Sequence, residues 1–328
     1  MEKDLLLKRY LCDNERFADL LNGIVGEQLV EPESLTELDT QTGIFTTVRR
    51  RFGRNKRQGF RDLLKKAAFG VNFLVVGVEN QESVHYLMPL RCMSYDAAEY
   101  ERQAAHIKKR VRKQPDISSA EFLSGFTKES KLNPCITLVL YFGEDWDGPR
   151  KLSDIIDFSE IPEKFRYLVN DYPVYVLEIQ KLKNTEMFKT DLKQVFDCIR
   201  LSKEPKKFSE LVAGDPTYAT LDEDAYDVIA EYTDINELKE IKDVCRKKKG
   251  EKKVNMCYAW QVIKQEEWEK GQAAGQAIGQ EIEREKGVKA LCKTCRDFGI
   301  SREDVVKKLV ENMELSKEQA EEYVKKFY

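Results

Sequence analysis

Two short apolar runs constrain this chain most: Phe73 to Val78 and Ile136 to Phe142. Each is shorter than an ordinary helix and rich in β-branched or aromatic side chains, so each reads as a strand. Their apolar character is nearly continuous, not alternating, which requires both faces to be covered and places them inside a sheet with helices on either side. The expected class is therefore α/β.

Patterns around the two runs supply the covering helices. Leu5 to Val25 carries Leu5, Leu6, Tyr10, Phe17, Leu20, Leu21 and Ile24 at helical spacing, as one helix or a broken pair, with Asp13 or Asn14 placed to cap the second piece. A long helix is expected within Val84 to Val111, with Pro89 in its first turn. Tyr172 to Ile179 reads as a further strand, Phe188 to Ile199 as a helix, and Leu38 to Phe45 as a weak strand. In the segment from Phe60 to Ala68 the spacing of Leu63, Leu64, Ala67 and Ala68 favours a helix over a strand. Pro205 is a natural boundary. The expected organisation is a main domain over 1–205, a helical appendage over 206–260, and a polar stalk with a small helical segment over 261–328. Gly271, Gly275 and Gly279 recur every four residues in that stalk, in a stretch too polar for a membrane.

Composition narrows the setting. A length of 328 residues allows a substantial core, and 41% apolar with 34% charged residues describes a soluble globular chain. No apolar segment is long enough to cross a bilayer, so a membrane partner is not expected. Met1 to Lys8 is interrupted by both charge signs and makes a poor signal peptide. The eight cysteines are too sparse for a disulfide framework and read as thiols of a cytoplasmic protein. Cys292 and Cys295, with the loosely spaced Cys245 and Cys257, make an improbable zinc set, and His85 and His106 add no ligand spacing.

The candidate chemistry lies at the end of the first apolar strand. Strand alternation sends Glu79 and Gln81 to one side and Asn80 to the other. A carboxylate at the end of a buried strand needs a metal, a cation or a donor beside it. Asp62 on a neighbouring segment would complete a pair of oxygen ligands suited to a hard divalent ion. Gln81 cannot act as a strong base, but it can position water and donate a hydrogen bond to charge developing on phosphate. Nine lysines or arginines and one acid, Asp62, fall between Arg49 and Lys66. Arg49, Arg50, Arg51, Arg54, Lys56, Arg57 and Arg61 are thus candidates for holding a nucleic-acid backbone, with Arg91 on the long helix as a further phosphate anchor. Asp19 is the preferred candidate for an additional acidic ligand, ahead of Glu27 and Asp39. Tyr95 reads as core or as a hydrogen-bonding orienter, and Gln103 as part of a packed polar helix face.

A wider pattern accompanies these residues. Arg61-Asp62, Gly77-Val78-Glu79-Asn80-Gln81 and Met88-Pro89-Leu90-Arg91-Cys92-Met93-Ser94-Tyr95-Asp96 are joined by Phe17 to Gly23, Tyr100 to Gln103, Pro134 to Tyr141 and Trp146-Asp147-Gly148-Pro149. Over most of residues 10–200 the chain resembles the recombination-promoting nuclease (Rpn-like, putative transposase) family of the PD-(D/E)XK superfamily. That resemblance implies a restriction-endonuclease-like core, a mixed sheet flanked by helices, with a helical C-terminal extension. It also implies a D…ExQ site in which Asp62 and Glu79 hold magnesium or manganese and Gln81 takes the place more often filled by lysine. The expected function is divalent-metal-dependent hydrolysis of DNA phosphodiesters, in recombination or against mobile DNA, with DNA as partner. The competing expectation is a catalytically inactive nucleic-acid-binding or assembly protein on the same fold. Self-association to a homo-oligomer is left open by the sequence.

Overall fold

The computed structural model describes residues 2–38, 63–78, 84–246, 252–313 and 315–328. They divide into two compact units, 1–260 and 261–328. Residues 206–260 thus share a unit with 1–205, and the break falls at Trp260.

The N-terminal piece is a pair of helices, α1 (Glu2–Leu11) and α2 (Asn14–Val25). Asp13 separates them: its carboxylate accepts from the amides of Glu15 (2.9 Å) and Arg16 (3.1 Å), a helix N-cap worth about 1 kcal/mol. Gly26 ends α2 in the left-handed region, at φ 81°, where a Cβ would be strained. The apolar side of α2 buries Phe17, Ala18, Leu20 and Leu21.

Five strands form the main sheet in the order β1 (Thr36–Glu37), β2 (Leu63–Ala68), β3 (Val71–Val78), β4 (Cys135–Tyr141), β5 (Tyr175–Glu178). The first three are antiparallel and the last three parallel, so the sheet is mixed. The two apolar runs are its centre, β3 beside β4, as expected. A long helix, α3 (Met88–Val111), connects them, with Pro89 in its first turn. α3 covers one face through Met88, Cys92 and Tyr95, which pack with Leu74, Val139 and Tyr141. On the rest of the unit, α1 packs on β2 and β3, and α2 meets α6 (Leu192–Leu201).

One expectation is corrected: Leu63 to Ala68 is a strand, not a helix. Lys66 explains the misreading. It is fully buried, and its ammonium donates to the Cys12 carbonyl and the Asn14 side chain while lying 5.3 Å from the Phe17 ring. A lysine at an inward position hides the period-two alternation that would have marked a strand. Burial pulls its ammonium below the ordinary lysine range.

Three helices, α7 (Pro205–Gly214), α8 (Glu223–Tyr232) and α9 (Asn236–Ile241), complete this unit with a two-stranded ladder of β6 (Leu221–Asp222) and β7 (Lys253–Val254). The helix α10 (Met256–Asp297) begins here and carries Gly271, Gly275 and Gly279 in regular helix. In the second unit, its end joins α11 (Arg302–Met313) and α12 (Lys317–Phe327) around Val288, Cys292, Cys295, Val305, Leu309 and Val324. Cys292 and Cys295 are therefore core thiols of the second unit, whereas Cys245 and Cys257 belong to the first. Ser316 and Gln319 form a reciprocal cap at the start of α12.

Gly23 gives a test of how closely α2 is packed. A Cβ there would lie 2.3 Å from the Phe188 ring, which is itself buried edge-on against Phe196. Helix propensity alone predicts that Gly23→Ala stabilises by about 0.5–1 kcal/mol. The overlap should win, giving a loss of about 1–3 kcal/mol in urea unfolding, and a gain would show that the ring relocates freely.

Candidate active site at the carboxyl end of the sheet

In sheets of this kind the carboxyl ends of the parallel strands are where loops converge and ligands bind. Here Val78, Tyr141 and Glu178 stand side by side at that end of β3, β4 and β5. β2 begins at Leu63, opposite Val76, at the same end. Leu63, which follows Asp62 in sequence, and Val78, which precedes Glu79, therefore lie at a single end of one antiparallel hairpin. Asp62, Glu79 and Gln81 themselves lie outside the described residues, as do Arg49, Arg50, Arg51, Arg54, Lys56, Arg57, Arg61 and Asp39.

The described surroundings are tied together by hydrogen bonds and ring contacts. The Tyr141 hydroxyl donates to the Asp145 carbonyl at 3.1 Å, and its ring meets Trp146 edge-on at 5.1 Å. Gly148 explains the Trp-Asp-Gly-Pro string: a Cβ there would come within 2.6 Å of Val84 and 2.8 Å of the Trp146 ring. The acids of this loop are all engaged, Glu144 with Lys203, Asp145 with Lys181 and Asp147 with the Tyr86 hydroxyl.

Glu178 is a feature that the sequence reading missed. Its carboxylate accepts from the Trp146 amide (3.2 Å), from Lys181 (2.8 Å) and from Arg150. Partial burial works to raise its carboxyl, but Lys181, the Trp146 amide and Arg150 outweigh it and hold the group below the usual glutamate range. A depressed folded value means that its stabilisation is present above the unfolded value, near ~4.3, and is lost as pH falls through the folded one. Glu178→Gln should therefore cost about 1 kcal/mol at neutral pH. The gap to the parent should close in strongly acidic buffer; thermal melts of both proteins along a pH series would expose a gap that stays constant.

The other candidates are placed as follows. Arg91 sits in the first turn of α3; its Nε donates to the Tyr95 hydroxyl, and its guanidinium lies 5.6 Å from the Tyr95 ring. Tyr95 is core, and Gln103 bonds the Asn133 backbone through both ends of its amide, at 2.7 and 3.2 Å. Asp19 is buried and accepts from the amides of Lys189 (2.9 Å) and Thr190 (2.7 Å) and from the Thr190 hydroxyl (2.6 Å). Those donors occupy its carboxylate and make it a tie between α2 and the segment leading into α6. Glu27 is exposed in the turn after α2. Among the described residues no group of three or more His, Cys, Asp or Glu side chains is arranged to hold a metal ion.

Two further buried acids, Asp96 and Glu99, sit on the sheet-facing side of α3. Asp96 accepts from the hydroxyls of Thr137 and Tyr172, and Glu99 accepts from Asn72 (2.8 Å) and pairs with Arg102. Thr137 and Asn72 belong to the beginnings of β4 and β3, at the opposite end of the sheet from Val78. These acids are structural ties distant along the strands from the candidate site. Acids on a helix read from sequence as solvated surface; the signal that could have flagged their burial is that both fall on the helical stripe begun by Met88, Cys92 and Tyr95.

No family model, no curated protein and no solved structure matches the chain. Among the described residues no helix is long and apolar enough to cross a membrane.

Proposed function

We propose that the chain is a divalent-metal-dependent DNA endonuclease of the PD-(D/E)XK type, similar to the recombination-promoting nucleases. One observation supports this reading above the others: Leu63 and Val78, the sequence neighbours of Asp62 and Glu79, lie at the same end of the β2–β3 hairpin, the carboxyl end of the parallel strands of a mixed sheet. Asp62 and Glu79 offer an oxygen-only donor set, which suits magnesium or manganese. The ion's contribution when bound is to polarise a phosphodiester oxygen and ease deprotonation of water. The remaining work falls to the chain. Gln81 orients the attacking water by hydrogen bonding, and the arginines and lysines from Arg49 to Arg61, with Arg91, hold the DNA backbone without reading its bases.

The direct test is incubation of the full chain with supercoiled and linear DNA in magnesium, in manganese and in excess chelator. Nicking or cutting that requires the metal supports the proposal. Absence of cutting in every condition, with salt-sensitive DNA retention intact, would leave a binding or assembly protein instead.

A further inference from the structure

Among the described residues the last strand of the sheet, β5, has a neighbour on one side only, and it is preceded by an arm of the chain that leaves and rejoins the sheet at one point. The arm's base is closed by backbone bonds from Leu152 to Tyr172 (2.9 Å) and from Val174 to Arg150 (2.8 Å), and by Ser153 bonded to Asp171 (2.7 Å). Its outer part contains the single helical turn α5 (Glu163–Arg166), numbered between α4 (Ser119–Ser124) and α6. The tip is internally bonded: Arg166 donates to the carbonyls of Phe158 (3.0 Å) and Ile161 (3.2 Å).

Every residue from 161 to 170 is exposed, and half of them are large and apolar. Tyr167 is 79% exposed, Leu168 60% and Phe165 58%, and Tyr175 on the open strand adds 59%. With Ile155, Ile161 and Val169, they leave on the order of 600–700 Å² of apolar residue surface in water, taking roughly 180 Å² for each when fully exposed. The largest apolar patch on a typical monomer is about 300–600 Å². A standard interface takes about 800 Å² from each partner.

We propose that this arm and the open edge of β5 form a two-fold interface with a second copy of the chain. That summed exposure approaches the roughly 800 Å² that one partner gives a standard interface. Charge also selects the occupant. Arg150, Lys151, Lys164 and Arg166 are interspersed with Asp154, Asp157, Glu160, Glu163 and Asp171. At the tip, Lys164 and Arg166 beside Glu160 and Glu163 can meet their opposites across a two-fold axis, and with four bases against five acids the patch has no positive excess to draw a phosphate backbone. The inference is independent of the nuclease reading, since it uses none of Asp62, Glu79 and Gln81.

The experiment is light scattering on the full chain over a concentration series, beside Tyr167→Glu/Leu168→Glu and, as a competing surface, Ile278→Glu/Ile282→Glu on α10. The parent should weigh twice 38.2 kDa, the α10 variant should do the same, and the arm variant should weaken association by about 100-fold or more. A monomeric parent, or an arm variant that stays dimeric, overturns the proposal. So does a monomeric parent whose DNA retention alone is lost in the arm variant, which would make the patch a stacking platform. Hydrogen exchange gives a reading that needs no variant: amides 161–170 should gain protection as the concentration of the parent rises, and unchanged exchange overturns the proposal equally.

Discussion

Glu79→Gln and Asp62→Asn are each expected to reduce metal-dependent DNA cleavage by about 10³-fold, equivalent to roughly 4 kcal/mol of transition-state stabilisation. Both substitutions keep the side-chain volume and remove one negative charge from a two-carboxylate donor set. A hard cation loses most of its attraction to a site when a carboxylate becomes an amide. DNA retention should persist or tighten slightly, because the basic run from Arg49 to Arg61 is untouched and a repelling charge has gone. The measurement is single-turnover nicking of supercoiled DNA over a magnesium titration, with unfolding curves showing that both variants are folded. Cleavage within a few-fold of the parent in either variant would remove that carboxylate from the proposed mechanism. Gln81→Ala should keep the metal requirement and lower the rate less, since a neutral amide orients water without supplying charge.

The second large effect is structural. Asp191 accepts two bonds from Arg16, Nε and Nη2 both at 2.8 Å, and a third from the Tyr10 hydroxyl at 2.8 Å. Arg16 is buried, and Tyr10 is fully so, with the guanidinium 4.4 Å from its ring. Asp191→Ala leaves a guanidinium without its principal acceptor, and Asp222 at 3.0 Å, half exposed, replaces only part of it. Removing one partner of a buried pair costs about 3–5 kcal/mol, and this cluster should fall in that range by urea or guanidinium unfolding. Arg16→Met combined with Asp191→Leu should recover part of the loss, because no charge then remains buried while the Tyr10 hydroxyl still lacks its acceptor. A single-variant loss under about 1 kcal/mol would mean that water reaches Arg16 when Asp191 is gone.

The parts of the fold that could be read in advance are those where one residue type has one physical use. Asp13 has the chemistry of a cap and is one, and the two apolar runs could only be central strands. Pro89 sits in a first turn because an interior position would lose a hydrogen bond. Failures came where tertiary context reverses a residue's usual meaning. Lys66 is buried by acceptors more than fifty residues away in sequence, so no local pattern could show β2. Two residues per strand are too few to leave a periodic trace, which hid β6 and β7. At the site, Glu79 was suggested by its position at the end of a strand, and Asp62 as the acid within the neighbouring basic run. Glu178 was not, because its three donors come from separate parts of the chain.

Asp96, one of the two buried acids on α3, has a consequence for how the sheet finds its alignment. β4 is apolar along nearly its whole length, and a parallel apolar strand slid along its neighbour loses little contact. Thr137 interrupts that uniformity, and only in the observed alignment does its hydroxyl meet Asp96. A shift by one residue turns the threonine to the other face, and a shift by two carries it some 6–7 Å along the strand. Either leaves a carboxylate in an apolar interior with one donor fewer. The correct pairing is thus selected through a penalty on its rivals: Asp96 works as the ward of a lock, adding little when the key fits and stopping every key that is cut one notch off.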